Sequence, residues 1–124
     1  KIAANGVYRE ERFKETPQEL KKKYFKYQGE NCGDNMYSAN PELRRLICLK
    51  KLNLMEAWPM KGQFDVVFCR NVMIYFDKPT QQALVERFHK IIRPGGWFFT
   101  GHAESLAGIS HSFNYVRPSI YRKP

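Results

Sequence analysis

The chain has 124 residues and 14.7 kDa, room for one domain of ordinary size. With 43% hydrophobic and 15% aromatic residues it can build a packed core, which excludes disorder as its overall state, and its longest apolar stretch falls far short of the ~18 residues needed to cross a bilayer. Its 21 Lys and Arg against 12 Asp and Glu give a net charge of +9, spread evenly along the chain, which favours a polyanionic partner (nucleic acid, an anionic membrane surface or an acidic protein) without choosing among them.

Nothing at the amino end reads as a signal peptide, and the chain opens with Lys1-Ile2-Ala3-Ala4 without an initiator Met, which leaves open that preceding residues belong to the natural protein. Thr16-Pro17-Gln18-Glu19 predicts a helix start: Thr16 as cap, Pro17 at the first helical position, and Glu19 reaching back to complete a capping box. The helix is expected to end before Gly29, because Glu30-Asn31-Cys32-Gly33-Asp34-Asn35 is rich in turn formers. Within it lies the densest basic cluster, Lys21, Lys22, Lys23 and Lys26, interleaved with Tyr24, Phe25 and Tyr27. That interleaving suits stacking on single-stranded nucleic acid. It equally suits a solvated helix face over a buried aromatic one, the commoner behaviour of charge runs.

Between Met36 and Leu49 the pattern predicts a small antiparallel excursion of short strands, Met36-Tyr37-Ser38 and Leu46-Ile47-Cys48-Leu49, with Asn40-Pro41-Glu42 as a turn between them. Phe64-Asp65-Val66-Val67-Phe68-Cys69 is nearly all apolar or β-branched and reads as a strand buried on both faces, as in a parallel sheet. Asp77-Lys78-Pro79-Thr80 opens an amphipathic helix with Leu84, Val85, Phe88, Ile91 and Ile92 on one stripe; Arg93-Pro94-Gly95-Gly96 stops it, and Trp97-Phe98-Phe99-Thr100 is a second strand. Strand, helix and strand make a βαβ unit. Two further strand-like runs, Phe113–Val116 and Ser119–Arg122, close the chain as a hairpin at the sheet edge.

Cys32, Cys48 and Cys69 form no Cys-x-x-Cys pair and leave one unpaired in any disulfide scheme, which fits a reduced, cytoplasmic protein. His89, His102 and His111 are too scattered for a zinc site, and no metal is expected. His102-Ala103-Glu104 lacks the downstream Pro-Cys-x-x-Cys of zinc deaminases, and Ser105, His102 and Glu104 are too close in sequence for a hydrolytic triad; loop hydrogen bonding is the better account.

In an open α/β sheet, ligands bind beyond the carboxyl ends of parallel strands, which directs attention to residues 69–77 and 101–105. There Arg70 offers a planar donor fork and Asn71 a mixed donor and acceptor for a carboxylate or polar ligand, although a strand-end Arg equally often pairs with a neighbouring acid.

The run Phe64-Asp65-Val66-Val67-Phe68-Cys69-Arg70-Asn71-Val72-Met73-Ile74-Tyr75-Phe76-Asp77 resembles the signature of the CheR family of chemotaxis receptor glutamate methyltransferases. Gly6-Val7-Tyr8, Tyr24-Phe25, Asn53-Leu54, Arg93-Pro94-Gly95-Gly96, Gly101-His102-Ala103-Glu104-Ser105 and Tyr121 resemble further motifs of that family, in order. The resemblance implies an α/β fold, the carboxyl-terminal portion of a Rossmann-like class I methyltransferase dependent on S-adenosyl-L-methionine, with residues 1–124 a partial methyltransferase domain. It implies methyl transfer to glutamate side chains on the cytoplasmic helical bundle of methyl-accepting chemoreceptors, with S-adenosyl-L-homocysteine as by-product. Asn53, Leu54, Arg70 and Asn71 would line the cofactor site, residues 24–49 would form a small β-subdomain for receptor docking, and Lys21, Lys22, Lys23 and Lys26 would serve substrate docking. Neither nucleic acid nor membrane insertion is expected on this reading.

A glutamate side chain, with a reference pKa of ~4.3, is already an anionic nucleophile at neutral pH. The task is then orientation and desolvation rather than proton removal, which accounts for the lack of an acid/base constellation. Tyr75 is the candidate for positioning the carboxylate; packing beside Phe76 is its plainer role. The glycine-rich turn that opens a Rossmann-type cofactor site does not occur in this sequence, so residues 1–124 alone are expected to be inactive. The rival from another class is a non-catalytic basic module docking an acidic protein or nucleic acid, which leaves Arg70-Asn71 without a purpose.

Overall fold

The computed structural model describes residues 2–60 and 62–124, which divide into two compact units, residues 1–52 and 53–124.

The first unit holds a three-stranded antiparallel sheet in the order β1-β3-β2, made of β1 (Val7–Arg9), β2 (Phe25–Asn31) and β3 (Asp34–Ala39). Three short helices accompany it: α1 (Ile2–Asn5), α2 (Gln18–Tyr24) and α3 (Pro41–Arg45). The hairpin joining β2 to β3 turns on Cys32 and Gly33, both at positive φ (51° and 84°), the backbone that a two-residue hairpin loop requires. Tyr8, Phe25 and Tyr37 gather around Phe13, with ring centroids 4.7–6.4 Å from it. These edge-on aromatic contacts are the main cohesion of a unit too small for a deep aliphatic core.

The sequence reading needs three corrections here. Helix α2 begins at Gln18, close to the expected start, but Pro17 rather than Thr16 is its cap and the capping box does not form. Thr16 spends its amide closing a turn onto the Phe13 carbonyl at 2.9 Å, and Pro17 lies in extended backbone as the cap. The helix also ends at Tyr24, because Phe25 and Tyr27 pair with Ala39 and Tyr37 across the sheet and this pairing overrides the local helical pattern. Finally, Leu46–Leu49 is not a strand; these side chains are exposed and find no strand partner. The apparent turn at Asn40-Pro41-Glu42 starts α3 instead, with the Asn40 Oδ1 accepting from the Leu43 amide at 2.9 Å.

The second unit has a four-stranded mixed sheet, order β4-β5-β7-β6, from β4 (Phe64–Cys69), β5 (Ile92–Thr100), β6 (Asn114–Arg117) and β7 (Ile120–Arg122). Strands β4 and β5 are parallel, and β5, β7 and β6 follow as antiparallel neighbours. Helix α4 (Lys78–Ile91) connects β4 to β5, with Asp77 as its cap accepting from the Thr80 amide at 3.0 Å. The expected βαβ unit and closing hairpin are both present. Strand β5 starts at Ile92, with no intervening loop; Gly95 at φ +74° accommodates the irregularity within it.

Leu84, Val85 and Phe88 of α4 join Ile92, Phe98, Leu106, Phe113 and Tyr121 in one apolar cluster on a single side of the sheet. The reading of β4 as buried on both faces is corrected. It is the edge strand, and while Val67 and Cys69 face the cluster, Val66 and Phe68 lie on the other side and are exposed, Phe68 by 68%. No described helix is long and apolar enough to cross a membrane.

Candidate functional site

Strand β4 delivers its chain at Cys69 to a loop carrying Arg70 and Asn71 at the carboxyl end of the parallel pair. Burial, with the charge of Glu104 behind it, pushes the Cys69 thiol up to about 11, so it stays protonated and inert at neutral pH. Arg70 is exposed and enters no ion pair among the described residues, which sets aside the neighbouring-acid account of it. Asn71 takes the left-handed conformation at φ +58°, which Asn tolerates better than most residues. A short 3-10 turn, Met73–Tyr75, follows.

This loop is held on one carboxylate. Glu104, only 5% exposed, accepts from Asn71 N at 2.7 Å and Gly101 N at 2.6 Å through Oε2. Its Oε1 accepts from Val72 N at 2.7 Å, Met73 N at 2.6 Å and, more weakly, Ile74 N at 3.3 Å. Burial opposes ionisation, but the amides of Gly101, Asn71, Val72 and Met73 together outweigh it and hold the Glu104 pKa below its ordinary value. The other end of the loop is fixed by Gln81 of α4, whose Nε2 donates to the carbonyls of Met73 at 3.0 Å and Phe76 at 2.8 Å.

The loop after β5 is fastened in turn. Ser119 Oγ donates to the Gly101 carbonyl at 3.0 Å, and the Tyr121 hydroxyl accepts from the Leu106 amide at 3.1 Å. Ser105 Oγ accepts from the Ala107 amide, the loop bonding expected of it, whereas His102 is exposed.

The second pair, Asn53-Leu54, lies in an irregular segment at the start of the unit. Asn53 turns the chain with its own side chain, Oδ1 accepting from Met55 N at 3.0 Å and Nδ2 donating to Glu56 at 2.7 Å. The Leu54 carbonyl accepts from Arg87 Nη1 at 2.6 Å and from Trp58 Nε1 at 3.1 Å, while the Arg87 guanidinium lies 4.1 Å from the Trp58 ring centre and also donates to the Glu56 carbonyl. Leu54 and Val72 both pack against the apolar cluster, so both candidate segments are anchored to one core.

Tyr75 is 80% exposed, which corrects its reading as an aromatic packed beside Phe76. Asn53, Arg70 and Asn71 present exposed amide and guanidinium groups, and Leu54 a half-buried apolar surface. An exposed guanidinium and amide side by side, as at Arg70-Asn71, can orient a carboxylate or another polar group.

Of the four lysines, Lys22, Lys23 and Lys26 are exposed, and Lys21 is not. Its ammonium is 2.8 Å from Glu10 and 3.8 Å from the Tyr37 ring centre, in a side chain only 9% exposed. Lys21 is thus a part of the first unit's packing, and the reading of all four as a single solvated face is corrected. Glu104, Arg87 and Gln81, which hold the site segments, carry no motif that sequence reasoning converts into contacts; only the position of Glu104 just after a strand end pointed to the loop.

The chain matches the family model described as CheR methyltransferase, SAM binding domain, over residues 1–121. It is 45% identical over 121 residues to chemotaxis protein methyltransferase 2 of Pseudomonas aeruginosa, covering 96% of this chain and 42% of that protein. It is 38% identical to the probable chemotaxis protein methyltransferase of Rhizobium etli (98% and 45% covered) and 36% identical to the chemotaxis protein methyltransferase of Escherichia coli (96% and 42%). The chain therefore spans less than half the length of the curated relatives it matches. With the mixed α/β architecture and the Arg70-Asn71 loop in place, the match over nearly all of the sequence makes this chain a member of the CheR methyltransferase SAM-binding domain family.

Proposed function

We propose that the polypeptide containing this chain is a cytoplasmic protein-glutamate O-methyltransferase of chemotaxis, which esterifies glutamate side chains on the helical bundle of chemoreceptors. The family match across residues 1–121 carries this reading. S-adenosylmethionine (SAM) supplies an electrophilic methyl group when bound. Asn53, Leu54, Arg70 and Asn71 would hold it, in the carboxyl-terminal portion of a Rossmann-like class I domain.

What these residues have to do is bind and orient. An ionised glutamate needs no base, so the protein's contribution is to exclude water around the carboxylate and to hold one of its oxygens in line with the methyl group. Tyr75, exposed beside the Arg70-Asn71 loop, is proposed to position that carboxylate through its hydroxyl. Residues 24–49, with the exposed Lys22, Lys23 and Lys26 alongside, are proposed as the receptor-docking part. Lys21 is left out of that role because Glu10 neutralises it.

Residues 1–124 alone are proposed to bind SAM weakly and to transfer no methyl group, since none of their glycines lies in a strand, Gly-x-Gly turn, helix succession. Calorimetry showing tight SAM binding by these residues by themselves would overturn that part. For the activity, the full-length polypeptide is incubated with a receptor cytoplasmic fragment and methyl-labelled SAM. Label released as methanol in mild alkali is expected, as a glutamyl ester requires; alkali-stable label would mean methylation at nitrogen and a different enzyme class.

A further inference from the structure

We infer that Glu104 is the positioning residue of the cofactor site, holding the Arg70-Asn71 segment in its binding form; the inference rests on the function proposed above. Five backbone N–H groups converge on one carboxylate, four of them consecutive, from Asn71 to Ile74. Such a row of amides makes an anion-binding concavity, and here a side chain of the same protein fills it. Both carboxylate oxygens accept backbone amides and Glu104 is 5% exposed, so it is unsuited to touching a substrate itself.

What it does instead is compensate a strained backbone. Asn71 sits at φ +58°, and turning out of the β4 direction leaves the amides of residues 71–74 without strand partners. Glu104 satisfies all four, and through Gly101 N it ties the end of β4 to the end of β5. The fit is close: a Cβ at Gly101 would stand 2.5 Å from both Asn71 Oδ1 and Glu104 Oε2. The side chains of Arg70 and Asn71 are thereby presented at the carboxyl ends of two adjacent parallel strands with little freedom to wander.

The test is a double-mutant cycle in the full-length polypeptide, with SAM affinity read by calorimetry. Arg70→Ala is expected to weaken SAM binding, and an unchanged affinity would sink the cofactor reading itself. Glu104→Gln keeps the volume but turns an NH2 group against backbone donors, and is expected to weaken binding about tenfold or more. If Arg70→Ala weakens binding and Glu104→Gln does not, the cofactor reading stands and the positioning inference falls. The double variant is expected to lose little more than the worse single one; additive losses would show that Glu104 does not act through the Arg70 segment.

Val85→Ala, buried in α4 and outside the clamp, controls for general loosening, and a loss of SAM affinity equal to that of Glu104→Gln would also refute the inference. Should Glu104→Gln fail to fold, Gly101→Ala displaces the clamp with its carboxylate intact. It is expected to weaken SAM binding, and wild-type affinity in that variant would overturn the proposal.

Discussion

In residues 1–52 the sheet is held by three aromatic rings meeting Phe13 edge-on and by a lysine turned inward onto Glu10, and Phe13 is the one buried apolar side chain among its described residues. In residues 53–124 helix α4 lays Leu84, Val85 and Phe88 into an apolar cluster with Phe98 and Tyr121, and polar clamps fasten the loops at the strand ends. The contrast follows what each is proposed to do. A docking surface tolerates a shallow core and open edges, whereas a cofactor site needs its backbone fixed to a fraction of an ångström.

Removing the centre of each core is the strongest way to break this comparison. Phe13→Ala is expected to cost about 3–5 kcal/mol within the first unit, since three rings lose their common contact. Both tryptophans, Trp58 and Trp97, lie in the second unit, so their emission reports on that unit alone. Far-ultraviolet dichroism should fall at a temperature where tryptophan emission is unchanged; coincident transitions would mean that the two units are not distinct in stability. Leu84→Ala should do the reverse, costing about 2–5 kcal/mol and shifting the tryptophan-detected transition first.

A smaller effect separates the clamp from the core. Glu104 titrates below its ordinary range in the folded state, so its contribution is complete above the unfolded carboxylate pKa of ~4.3 and is lost as pH falls through the lower folded value. Amide exchange at residues 71–74, corrected for its intrinsic pH dependence, should therefore gain relative to α4 amides on acidification. A uniform change across the unit would refute a local clamp.

The smallest effect concerns the surface. Replacing Lys22, Lys23 and Lys26 together by Gln should raise the KM for receptor severalfold at low salt, less at high salt, and leave SAM affinity unchanged, as expected for exposed charges worth about 1 kcal/mol or less each. A salt-independent result would remove them from docking.

Much of the second unit could be read in the sequence because its signals are local. The Asp77-x-x-Thr80 cap, the stripe from Leu84 to Ile92 and the apolar run into Cys69 each specify one element, and the parallel pairing follows from strand, helix and strand. The first unit was harder because its signals conflict. Phe25 and Tyr27 continue a plausible helix until β3 is present to pair with them, and Leu46–Leu49 has a strand's composition without a strand's neighbour. At the site, Arg70 and Asn71 were legible by type and position. Their support by Glu104, 33 residues from Asn71 along the chain, was not, because it depends on how β4 and β5 come side by side.

The inward lysine also bears on chemical labelling. Three consecutive lysines of identical local sequence character differ here in access, with Lys21 shielded between Glu10 and the Tyr37 ring while Lys22 and Lys23 stand in solvent. Glu10 raises the Lys21 pKa, so the unprotonated amine that an acylating reagent attacks is scarcer there as well as less accessible. Mild acylation of the native protein should modify Lys22 and Lys23 and spare Lys21, and the onset of labelling at Lys21 would mark the opening of the small sheet.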